Sequence, residues 1–169
     1  HSLFSRLVSE DLTPEAYGAC IAAHYRAFRS VEAARQELNV YEPFSLASQV
    51  IALAKDCAPG TSSDGPATPF HLDTAQEALG ALYVVHGSQF GRAVIRKALH
   101  QNLPHLSHSY FKMPTDKEGW RDLLHSMEDT DPETTHEVLD GAQRAFVLIE
   151  AEADKAQSDL AGQPRLLSA

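Results

Sequence analysis

Apolar residues recur along the chain at three- and four-residue steps, and that repeat predicts helices almost throughout. Leu3, Phe4, Leu7 and Val8 fit a short opening helix. Thr13-Pro14 starts a longer one, with a hydroxyl N-cap and Pro at the first helical position, where its missing N–H costs nothing. The stripe of that helix is Tyr17, Ile21, His24, Phe28, Val31 and Leu38, with Glu15, Arg26, Arg29 and Arg35 off it. Pro43 ends this region, and Phe44 to Cys57 give another helix with Leu46, Val50, Ile51 and Leu53 apolar. Residues 58–70, "APGTSSDGPATPF", lose all periodicity and read as a loop. Asp73 with Gln76 resembles a capping box opening a helix that runs to Asn102-Leu103-Pro104. Thr115 with Glu118 forms another, leading into Trp120, Leu123, Leu124 and Met127. Thr130 with Glu133, and Pro132 between them, opens the last long helix, whose stripe is Val138, Ala142, Ala145, Phe146, Ile149 and Ala153.

No segment alternates as a strand would, and the β-branched cluster Tyr83-Val84-Val85 sits inside a helical frame. The expected fold class is all-α: six or seven helices in one layered bundle, a single domain over residues 1–160, and a flexible tail at 161–169. The 169 residues suit one domain. No apolar run approaches the roughly 20 residues of a membrane span. Nothing near the start reads as a signal peptide. The expected location is therefore cytoplasmic, with no membrane partner. Net charge is −9, from 14 basic and 23 acidic residues, which argues against nucleic acid as a partner. Cys20 and Cys57 lack CxxC spacing, so neither a zinc site nor a disulfide framework is expected.

One stretch departs from good helix design. "ALGALYVVHGSQFGRAVIRKAL", residues 78–99, carries Gly80, Gly87 and Gly91 on a helical frame. Each Gly costs about 0.5–1 kcal/mol relative to Ala in a helix interior. Gly87 and Gly91 stand four apart and share a face. A bare face admits either a neighbouring helix or a flat ligand. With Ser88 beside Gly87, it also predicts a bend or irregularity.

"LGALYVVHGSQFGRAVI" strongly resembles the distal-helix motif of the heme oxygenase family, closest to the bacterial branch that supplies biliverdin to bacteriophytochromes, where it reads like "LGALYVLEGSTLGG". "LFSRLVSEDLTPEAYGACIAAHYRAFRSVE", closing on Glu32, looks like the family's first two helices, and "SYFKMPTDKEGWRDLLHSM" like its later aromatic segment. Residues 132–155 match the last core helix in pattern only. The resemblance implies a heme-oxygenase-like bundle holding heme as substrate and cofactor. Its reaction is ring opening to biliverdin, carbon monoxide and iron, with an external electron donor and a bacteriophytochrome as partners. It assigns Gly87, Ser88 and Gly91 to the catalytic distal helix, Ser88 standing where mammalian members carry a water-ordering aspartate. It offers His86, Phe90, Arg92, Arg96, Tyr110 and Lys112 as cofactor-binding positions, with Lys97 a further candidate beside the propionates. Phe111 and Phe146 would serve as pocket wall or core.

Three positions depart from the family pattern. Arg92 stands where the second glycine of a pair is expected, and His86 where an acid is expected. The family's proximal histidine would fall roughly six positions upstream of His1, about 9 Å along a helix. His1 and His24 are the weak ligand candidates left within the chain, and His24 reads first as a hydrogen-bonded core histidine and only second as an iron ligand. His100, His105 and His108 have no metal-ligand spacing and read as a solvated loop. Arg92 is expected to point obliquely to the pocket and to anchor on a carboxylate, either an acidic side chain or a heme propionate. The leading functional reading is a heme oxygenase, its alternative is a binding or interaction protein that keeps the fold without catalysis, and an unrelated helical interaction domain ranks far behind because of the distal motif.

Overall fold

Thr13 begins the first long helix as its sequence predicts. Its hydroxyl accepts the Ala16 amide at 3.2 Å, the kind of cap that contributes about 1 kcal/mol. The structure, a computed structural model, describes residues 3–57 and 68–162. A 3₁₀ turn at Leu3–Val8 precedes helix α1, Pro14–Leu38. A short 3₁₀ turn at Glu42–Phe44 leads to α2, Ala47–Asp56. Then come α3, Ala75–Gly87, a 3₁₀ turn at Ser88–Gly91, and α4, Arg92–Asn102. Helices α5, Ser109–Lys112, and α6, Lys117–Glu128, are followed by a 3₁₀ turn at Pro132–Thr134 and α7, Thr135–Gly162. No strand occurs among the described residues. The all-α expectation holds. His1 and most of the 58–70 loop lie outside the described residues, as does the tail from 163 onward. Residues 161 and 162 still belong to α7, because the helix continues past the expected boundary.

Three of the predicted helix starts shift by one residue. Thr74, not Asp73, caps α3 by accepting the Glu77 amide at 3.1 Å, and Glu77 in turn accepts the Asp73 amide at 2.7 Å. Asp116, not Thr115, caps α6 through the Gly119 amide at 2.9 Å. Before α7, Asp131 takes the capping role by accepting the Glu133 amide. The Thr130 hydroxyl donates backward to the Ser126 carbonyl at 3.2 Å. In each case the carboxylate or hydroxyl that can reach an orphan amide wins over the pattern in the sequence.

Helices α1, α3 and α7 make the centre. From α1 come Cys20, Ile21, Ala27, Phe28 and Val31, and from α7 Ala145, Leu148 and Ala153, all buried. Helix α3 is buried on nearly every side, from Glu77 through Leu82 and at Val84 and Val85, as befits a central helix. Its crossing with α7 is made by two glycines. A Cβ on Gly80 would lie against the Val138 carbonyl and 2.8 Å from the Ala142 nitrogen, and one on Gly141 would lie against the Glu77 carbonyl. Each glycine thus meets a carbonyl three residues before the other. The bare-face reading of paired small residues applies to Gly80 with Gly141, and only Gly80 stood out in the sequence.

Two expected surface arginines are interior. Arg26 is fully buried and ion-paired with Glu152, which also accepts the Thr68 amide at 2.8 Å. Arg35 reaches Glu32 through two nitrogens at 2.9 Å. Glu32 also accepts Ser45 Oγ at 2.7 Å and the Leu46 amide at 3.0 Å, so one carboxylate joins α1 to the start of α2. These donors outweigh burial and hold its pKa at about 2. Conversely, Ile51 and Phe146, read as interior, are more than half exposed. Phe146 therefore does not serve as core.

Candidate functional site

The helix predicted through residues 73–102 runs on through the glycines but changes pitch there, its residues keeping right-handed helical dihedrals. Helix α3 ends at Gly87, and α4 resumes at Arg92 after a 3₁₀ turn that tightens the backbone over Ser88–Gly91. The irregularity expected from Gly87, Ser88 and Gly91 is present. The two glycines nevertheless meet different surroundings. Gly87 lies beneath Trp120, whose ring would be 3.5 Å from a Cβ there. Trp120 in turn stacks on Tyr83 and meets Phe90 edge-on, both with centroids at 5.2 Å. Gly91 is exposed, and a Cβ on it would meet nothing within 4 Å.

Ser88 shares the exposed side of the turn with Gly91, three residues on. Its hydroxyl donates to the Val85 carbonyl at 2.7 Å, the back-bond common where a helix is irregular. The same oxygen lies 3.3 Å from the Tyr110 hydroxyl. Tyr110 is buried, and its ring sits 6.0 Å from that of His24. His24 is half-buried among aromatic rings, with Phe4 at 4.4 Å, Phe28 at 5.7 Å and Phe111 at 6.4 Å. Its Nδ1 pairs with the Cys20 carbonyl at 2.8 Å. The neutral ring donates through Nδ1 there, which leaves the Nε2 lone pair as the acceptor. Burial lowers the His24 pKa and favours this neutral form. The sequence placed His24 on an apolar stripe without linking it to Ser88, and Tyr110 is what joins them.

The remaining candidates divide. His86 Nε2 pairs with the Phe44 carbonyl at 2.9 Å, and burial lowers its pKa, so it ties α3 to the turn before α2. Phe90 is half-exposed and belongs to the Trp120 cluster. Arg96, Lys97 and Lys112 are exposed. His100 and His105 are exposed as expected, whereas His108 is buried edge-on to Tyr17 at 5.3 Å, against the solvated-loop reading. The neighbouring Asp56 gathers the amides of Ser109 and Tyr110 at 2.8 and 2.9 Å, which draws that loop inward.

Arg92 meets no acidic side chain among the described residues, so that one of its two expected partners is not found. It is buried, and its acceptors are carbonyl and amide oxygens. Its guanidinium donates to the Gln89 carbonyl at 3.4 Å, Gln89 Oε1 at 3.3 Å and the Pro114 carbonyl at 3.2 Å. It also lies 5.3 Å from the centre of the Tyr110 ring. Burial lowers its pKa from the usual arginine range.

Three features of the turn are compatible with one wall of a site for a flat ligand: its backbone tightens to 3₁₀, Gly91 is bare to the outside, and a hydroxyl stands beside it. An open cleft of about 560 Å³ lies elsewhere, between residues 68–71 and the face of α7 carrying Arg144 and Val147. Among the described residues no group of three or more His, Cys, Asp and Glu is placed to hold a metal ion. No helix among them is long and apolar enough to cross a membrane. Comparison of the chain with family models, with curated proteins and with solved structures finds no match.

Proposed function

We propose that the chain is a heme oxygenase of the biliverdin-producing kind, with a heme-oxygenase-like arrangement of its helices. The observation that carries this is the 3₁₀ irregularity at Ser88–Gly91, which falls on the glycines that the resemblance assigns to a kinked distal helix. Gly91 and Ser88 would face the ring, and Tyr110 would hold Ser88 from behind. Heme, when bound, supplies the iron that activates oxygen against its own porphyrin, with electrons from an external donor. The chain's own contribution is steric and protonic. A bare Gly91 lets backbone approach the ring plane. Ser88 Oγ gives its proton to the Val85 carbonyl and keeps a lone pair for a donor in the site. Tyr110 Oη, 3.3 Å away, is a second hydroxyl on the same path.

A second reading has its own observation. Arg92, standing where the family motif has glycine, fixes the turn against Pro114 and Tyr110. A turn held in this way suits a binding protein that keeps the fold without the chemistry.

Hemin titration separates the readings. The oxygenase reading expects a sharp Soret band and, with a reductant and oxygen, biliverdin. Heme uptake without biliverdin selects the second reading, and no Soret change at stoichiometric hemin rejects both. Gly91→Leu should lower hemin uptake at least ten-fold with little loss of fold, because its Cβ meets open space.

A further inference from the structure

Arg92 and Gln89 are each about 5% exposed, and each carries a buried donor nitrogen without a hydrogen-bond acceptor among the described residues: Arg92 Nη1 and Gln89 Nε2. Buried donors are normally satisfied, so two on adjoining side chains call for one explanation. Reversing the Gln89 amide does not supply it. Gln89 Oε1 accepts the Asp116 amide at 2.7 Å and Arg92 Nη2 at 3.3 Å, so oxygen must occupy that position and nitrogen the other. The two contacting atoms, Arg92 Nη2 and Gln89 Oε1, are each bonded through one carbon to an orphan nitrogen. A single group with two acceptor oxygens is the simplest partner for both donors.

Charge decides what kind of group. A guanidinium stays protonated in proteins. The acceptors around Arg92 are neutral carbonyls, an amide oxygen and a ring face. Burying such a cation without a counter-charge is costly. Water would fill the donors' geometry but leave the charge uncompensated. A carboxylate does both, and binds guanidinium through two parallel bonds.

We propose that Arg92 Nη1 and Gln89 Nε2 form a carboxylate site beneath the Ser88–Gly91 turn. Its ligand is the carboxylate of a small free acid or the carboxylate arm of a larger bound ligand. The donors are covered, so the ligand reaches them when the short 3₁₀ turn opens, and it then locks the turn to the Pro114–Asp116 segment. A bound carboxylate therefore fixes the same turn that carries Ser88 and Gly91.

The test is thermal unfolding of the full chain in sodium acetate against sodium chloride at equal ionic strength, without heme. Acetate at about ten-fold over its Kd should raise Tm by roughly 3–6 °C above chloride. Gln89→Glu keeps the oxygen that holds Asp116 and puts a second oxygen in place of the orphan nitrogen. It should raise Tm in chloride and abolish the response to acetate. Arg92→Met should also lose the response. Equal curves for the parent in acetate and chloride, or an undiminished acetate response in Gln89→Glu, overturn the site. The source of the carboxylate follows from competition with acetate. If hemin displaces acetate and hemin dimethyl ester does not, the carboxylate belongs to the larger ligand. If neither displaces it, a free acid is the ligand. Because the acetate arm contains no heme, its failure leaves the oxygenase reading standing, and a failed Soret titration leaves the acetate result standing.

Discussion

Replacing Gly80 by Ala and Gly91 by Ala should move stability in opposite directions. Both residues are glycines on the same interrupted helix, and local propensity favours Ala at each by about 0.5–1 kcal/mol. At Gly80 the new methyl falls 2.8 Å from the Ala142 nitrogen and closer still to the Val138 carbonyl, all of it backbone of α7. Ordinary contact lies near 3.5 Å. The crossing must therefore open by about 0.7 Å at the more distant of those two atoms. No rotamer relieves that clash, since neither partner is a side chain. Opening the crossing also loosens Leu79, Leu82 and Leu148, which are buried in the same core. Overpacking of this kind costs about 1–3 kcal/mol and occasionally more. With the propensity gain subtracted, Gly80→Ala should lose about 1–2 kcal/mol. Gly91→Ala meets open space and should gain about 0.4–1 kcal/mol. Urea unfolding followed by circular dichroism at 222 nm reads both, the loss appearing as a midpoint lowered by about 1 M. A Gly80→Ala midpoint equal to that of the parent would show that the α3–α7 crossing yields at no cost, and the account of this crossing would fail.

Acid should destabilise the protein in two stages. His24, His86 and His108 have pKa values lowered by burial from 6.5, so the unfolded chain binds more protons and stability falls as pH drops below about 6.5. Urea midpoints from pH 7.5 to 5 should show this decline, and His24→Phe should flatten part of it. Glu32, held at about 2, contributes fully above the ordinary carboxylate range and loses that contribution between about 4.5 and 2. Glu32→Gln should remove the second stage while leaving the first. Arg26→Met strands the buried Glu152 carboxylate and should cost about 3–5 kcal/mol. A double variant, Arg26→Met with Glu152→Met, should recover much of that loss, and recovery of none would mean that Glu152 matters chiefly through its bond to Thr68.

Helix existence was legible in the sequence because the apolar repeat is a property of the chain alone, and the irregularity at Gly87–Gly91 was legible for the same reason. Partners were not. Arg26, Arg35 and Arg92 are polar by type, and nothing local distinguishes an arginine that meets solvent from one that finds Glu152, Glu32 or a set of carbonyls across the bundle. Tyr110 illustrates the limit at the candidate site. The sequence offered it as a cofactor contact, and the structure makes it the bridge between Ser88, Arg92 and His24. The glycines show why residue type and role separate. Gly80 is needed for what lies against it, Gly87 lies under an indole, and Gly91 faces nothing within 4 Å. A backbone position left bare toward the outside gains nothing from internal packing, and an Ala there would improve the helix. That Gly91 is nonetheless glycine, on the same exposed side as Ser88, is what packing leaves unexplained and a ligand lying on the turn would explain.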